Sequence, residues 1–148
     1  MSAPHFSSDA QVAAIGSQML SATLPKQEWT HAAHLAAAAW IISERKDLLP
    51  ARDMPGIISA YNIASGVANT DTGGYHETIT QASLLAVAAF LRAQPEGTAL
   101  HAACNALLAS PYGQKDWLLR HWSQPLLFSV AARRAWIEPD LAPLPFTA

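Results

Sequence analysis

The hydrophobic positions of this chain fall in runs dominated by alanine and leucine. They do not alternate one by one with polar residues over a strand's length. A half-buried strand needs that two-residue alternation, whereas Ala- and Leu-rich runs favour helix. Ser8 or Asp9 is placed to cap a first helix running to about Leu20. Pro25, after Leu24, suits the first position of a second helix that continues to about Lys46. A third is predicted from near Asp53, with Pro55 in its first turn, to near Gly66. "GVANTDTGG" then has the composition of a turn-rich loop. A fourth helix is predicted from Tyr75 to about Ala93, where "QPEG" stops it. A fifth runs from Thr98 to Ala109, where "SPYG" stops it. A short helix around Trp117 to Trp122 and another from Pro125 to Ile137 follow. The closing "EPDLAPLPF" is too rich in proline for helix, and its apolar residues predict an extended segment lying on the body. The expected fold is all-α: one domain over residues 1–148, a bundle of about five to seven helices with an extended proline-rich C-terminal tail.

Composition adds a constraint. Apolar residues make up 51% and charged residues 14%, so much of the chain must be buried in itself or against a partner. That balance also suits a homo-oligomer with a buried helical interface. A net charge of −2 gives no electrostatic reason to expect nucleic acid. Cys104 is the one cysteine, which excludes an internal disulfide and suits a reducing cytoplasm, the expected location. The opening "MSAPHFSSDAQVAAIGSQML" lacks the basic and apolar regions of a signal peptide and reads as mature protein. The longest apolar runs, "LAAAAWII" and "LLAVAAFL", fall far short of the roughly 20 residues that cross a bilayer, so no membrane association is expected.

Candidate chemistry centres on "EWTHAAHLAAAAWII". At about 100° per residue, His31 and His34 lie about 60° apart on one side of the second helix. No Lys, Arg, Asp or Glu occurs from Trp29 to Ile42, so the helix is apolar all round and belongs in the interior. Buried imidazoles need partners, and two side by side repel if both are protonated. At least one neutral ring follows, and a neutral ring is a good metal ligand. Two core histidines bonded to backbone carbonyls weigh about equally. In "TDTGGYHETIT", His76 and Glu77 open the fourth helix, and His76 shares a face with Thr80, Ser83 and Val87. His76 is a third metal-ligand candidate. Glu77 is a further ligand or a base, against the simpler role of a first-turn acid that offsets the helix dipole. Glu28, three residues before His31, could orient that ring as an outer carboxylate. Tyr61, Asn62, Tyr75, Thr80 and His121 are candidate ligand contacts. Cys104, beside no basic neighbour that would lower its pKa, is expected in the core.

Together, "WTHAAHL", "GYHETIT" and "WIEPDLAPLP" resemble the motifs of a family of small bacterial all-helical proteins, over most of the chain from Trp29 to Pro145. The resemblance brings no assigned activity. The architecture is also loosely similar to the DinB/YfiT-like bundles, which carry a three-histidine metal site, often nickel or zinc. This chain has an early H-x-x-H where those have a late H-x-x-x-H.

Three functions compete. The first is a metal-dependent hydrolase or lyase in which His31, His34 and His76 hold a divalent metal. Zinc suits three histidines and a water, whereas iron suits two histidines and Glu77. Glu77 or Glu28 would then move a proton for a small polar substrate. The second is a non-enzymatic ligand-binding or interaction module with core histidines. The third is a metal-free isomerase or cyclase using His31 and His34 as acid and base.

Overall fold

The computed structural model describes residues 5–146. Seven α-helices occur among them, in one all-helical domain. Helix α1 (Asp9–Leu20) starts where the Ser8 hydroxyl accepts the Gln11 N–H. Helix α2 (His31–Glu44) starts six residues later than Pro25 suggests. Pro25 instead leads a single 3₁₀ turn, Lys26–Glu28, and the chain re-enters helix at Thr30, whose hydroxyl accepts the Ala33 N–H. Two start signals compete there, and the side-chain cap satisfies an orphan amide that the proline leaves open.

Helix α3 (Pro50–Ala64) begins at an earlier proline than expected and runs through Pro55. A proline inside a helix has no N–H for the carbonyl four residues back. That carbonyl belongs to Ala51, and it accepts the Gln81 side-chain amide of α4 at 3.0 Å. Helix α4 (Glu77–Arg92) and α5 (Leu100–Ala109) follow. After 3₁₀ turns at Pro111–Gly113 and Trp117–Arg120 come two short helices, α6 (Gln124–Leu127) and α7 (Val130–Arg134). A single helix was expected over these last residues. Ser129 divides it, because its hydroxyl accepts the Ala132 N–H and opens a second helix.

Helix α2 lies at the centre and touches α1, α3, α4 and α5. Ala33, Leu35 to Ala39 and Ile41 are buried. Small side chains all round let four neighbours approach. Helix α1 comes close at Gly16, where a Cβ would come within 2.3 Å of the Trp40 ring. A second apolar cluster gathers Ala82 and Ala86 of α4, Trp117, Leu118, Trp122 and Leu127. Residues 135–146 form no regular element but cover this cluster with Trp136, Leu144 and Phe146. The Trp122 indole donates to the Ile137 carbonyl at 2.8 Å. Thr78, fully buried, donates to the Ala135 carbonyl and accepts the Ile137 N–H. No helix among the described residues is long and apolar enough to cross a membrane.

Candidate functional site

A cavity of about 350 Å³ lies between the start of α2, α3, α4 and the segment from Lys115 to Phe128. Helix α2 presents His31, His34, Leu35 and Ala38 to it. Helix α3 adds Met54 and Ile58, and α4 adds Ile79, Thr80 and Ser83. Trp29 forms one wall before α2, and Leu118, Leu119, Leu127 and Phe128 form the far wall. Lys115 and Asp116, both exposed, complete the lining. The walls are predominantly apolar, with a few polar groups converging, which is the usual make-up of a small-molecule site.

The histidine pair expected from "WTHAAHL" therefore lines one cavity. The two rings differ. His31 places Nε2 3.2 Å from the Tyr112 carbonyl. A carbonyl can only accept, so Nε2 carries the proton and Nδ1 is left as the second nitrogen. The His34 ring packs against Trp29 at a tilt of 41°, with ring centroids 3.9 Å apart, and Trp29 in turn meets Tyr61 at 5.1 Å. Solvent reaches the His34 ring through the cavity, so its own surface is exposed. Protein nevertheless surrounds it closely. The crowding of the walls, then the His31 and Lys115 charges, lower its pKa to about 4. His34 is therefore a neutral hydrogen-bonding group at neutral pH.

His76 does not join them in the lining. It is the N-cap of α4: Nδ1 accepts the Ile79 N–H at 3.1 Å, and Nε2–H donates to the Leu127 carbonyl at 2.7 Å. Burial, opposed in part by the Leu127 carbonyl, holds its pKa below the ordinary histidine value. With both ring nitrogens engaged, His76 has no lone pair for a metal. It fixes the cavity indirectly, because Leu127 is part of the far wall. Glu77 also lies outside the lining. Its carboxylate accepts the Tyr75 hydroxyl and, at 3.4 Å, the Gln81 amide. Burial and then that bond to Glu77 raise the Tyr75 pKa, while Thr80 acts in the opposite sense. Glu28 is exposed on the 3₁₀ turn, and the His31 Nε2 bond goes to Tyr112 and not to it.

The other expected contacts separate in the same way. Thr80 lines the cavity. Tyr61 is buried behind Trp29 and donates to the Leu24 carbonyl at 2.8 Å. Asn62 donates to Asn69, whose Oδ1 also accepts the Tyr75 N–H, so this pair clamps the glycine loop to α3. Gly74 completes that loop with φ +78°, where a Cβ would meet the Ala68 carbonyl oxygen at 2.4 Å. His121 holds the C-terminal segment: Nδ1 lies 3.1 Å from the Ala142 carbonyl, and its own carbonyl accepts the Leu141 N–H.

A divalent metal fits these donors poorly. His31 has one nitrogen committed, His76 has both, and Glu28 and Glu77 lie outside the cavity. Among the described residues no group of three or more His, Cys, Asp or Glu side chains is arranged to hold a metal ion. Residues that the sequence reading did not single out include Met54, Ile58, Lys115 and Asp116. Lys115 and Asp116 are adjacent charges in "QKDW", but only the fold brings them to the same cavity as α2. Comparison with family models, curated proteins and solved structures gives no match to this chain.

Proposed function

We propose that this protein is a helical module that binds a small, mainly apolar molecule between α2, α3 and α4. One observation carries the reading: a cavity of about 350 Å³ whose apolar walls surround a neutral, accessible imidazole, His34, with the Thr80 and Ser83 hydroxyls nearby. Binding is favoured over acid–base catalysis because an effective general base has a pKa near the working pH. His34, at about 4, lies far below it. A neutral imidazole at that position orients a ligand by hydrogen bonding, while Trp29 and the leucines supply the contact area.

The test is a thermal-shift screen of small aromatic and aliphatic compounds, followed by titration of tryptophan fluorescence. Binding is expected to raise the melting temperature and to change emission from Trp29. Ser83→Phe, which fills the cavity, should remove both effects while the variant stays folded. Equal binding by Ser83→Phe would place the ligand elsewhere and overturn the reading.

A further inference from the structure

The cavity lies between the two apolar clusters. Leu35, Ala38 and Met54 of its lining belong to the first, and Leu118 and Leu127 to the second. The half-buried apolar lining residues also pack on one cluster or the other: Trp29 and Ile58 on the first, Ile79 and Leu119 on the second. Phe128 is the exception. It lines the cavity but joins neither cluster among the described residues, and its fractional exposure is 54%. Leu127, one residue earlier, is 1% exposed. The two stand at different depths of one wall, with Phe128 at the mouth. Leu49, Ile63, Val130 and Leu141 are exposed as well, yet none of them lines the cavity.

Local structure fixes the base of that ring. The Phe128 N–H donates to the Gln124 carbonyl and ends α6. On one side the Leu127 carbonyl accepts from His76. On the other, the Ser129 hydroxyl donates to the Leu126 carbonyl and accepts the Ala132 N–H. The backbone is therefore held, whereas an exposed ring changes rotamer readily. Exposed aromatic surface gains free energy when an apolar body covers it. A molecule seated between the two clusters is such a body, and Phe128 already borders the space it would fill. Resting on the binding reading above, we infer that Phe128 is the residue that closes the cavity: its ring covers the mouth over a bound molecule and sets how slowly that molecule leaves. This role does not depend on the ligand's charge, because the contact is between apolar surfaces.

The test is fluorescence titration of the full chain with two neutral probes, N-phenyl-1-naphthylamine and 1-naphthol, with release followed by stopped-flow dilution. Covering the exposed half of the ring corresponds to about tenfold in affinity. Phe128→Ala should therefore weaken each probe about tenfold, mainly through faster release. Phe128→Leu should recover part of the loss. Urea unfolding without a probe should be nearly unchanged in both variants, because the ring packs in neither cluster. Release no faster from Phe128→Ala than from the unaltered chain, or faster release accompanied by an equal loss of stability, would overturn the inference and leave the binding reading intact. Failure of both probes to bind the unaltered chain more tightly than Ser83→Phe would overturn both.

Discussion

His34 and His76 are both held neutral, for different reasons, and both make the molecule sensitive to acid. His34 is depressed by the crowded cavity walls and by His31 and Lys115, and His76 by burial. In the unfolded chain both rings return towards about 6.5. Unfolded rings therefore bind more protons than folded ones below that pH, and stability must fall as the solution is acidified. For His34 the loss runs from about 6.5 down to the folded value of about 4. Melting curves between pH 7 and pH 4 should show a shallower decline for His34→Gln than for the unaltered chain. An unchanged slope would mean that the ring is not depressed. At His76, His76→Ala removes a cap and a buried bond to Leu127 at once. A loss of about 2 kcal/mol is expected in urea unfolding. His76→Asn, which can still cap, should recover part of it. The sequence made the His31–His34 pair legible because the two lie on one side of a stretch without charge from Trp29 to Ile42, but it predicted buried rings, whereas His31 is half-buried and His34 is exposed where it lines the cavity. It did not reveal that the His76 lone pair is used by its own helix, because capping depends on backbone geometry and not on periodicity.

At the scale of the element, α3 and α4 share a repair. Pro55 orphans the Ala51 carbonyl, and Gln81 supplies the missing donor from the neighbouring helix. Gln81→Leu should cost about 1 kcal/mol, a modest figure because Ala51 is exposed and water can replace the amide. In a Pro55→Ala background the backbone N–H returns, and the same substitution should cost clearly less. A double-mutant cycle reads the difference. Additive costs would show that Gln81 is not compensating for the proline. The start of α1 was legible to within one residue, since Ser8 and Asp9 were both candidate caps and Ser8 is the one that caps. Boundaries were obscured where two signals competed, as with Pro25 against Thr30, or where a serine lay inside an otherwise periodic stretch, as at Ser129.

For the whole molecule, alanine and leucine enrichment foretold an all-helical fold, and the lack of charge in α2 foretold its central place. The division into two apolar clusters was not legible. It depends on residues 135–146 returning over Trp122, a contact made far along the chain. Two whole-fold predictions follow from the central position of α2. Gly16→Leu should prise α1 from α2 and cost several kcal/mol, about 1–3 for overpacking alone, because the added side chain meets Trp40. Cys104, buried beside α2 with its thiol pushed up to about 12, should react with a thiol reagent only as fast as the molecule opens. Rapid labelling of the native protein would contradict the burial.

The two bonds of His76 also have a mechanical consequence. One ring fastens the Ile79 amide to the Leu127 carbonyl, so the first turn of α4 cannot fray without loosening the opposite wall. A molecule bound against that wall should therefore slow deuterium uptake at the Ile79 backbone amide, even though the hydrogen bond it protects lies wholly within the protein.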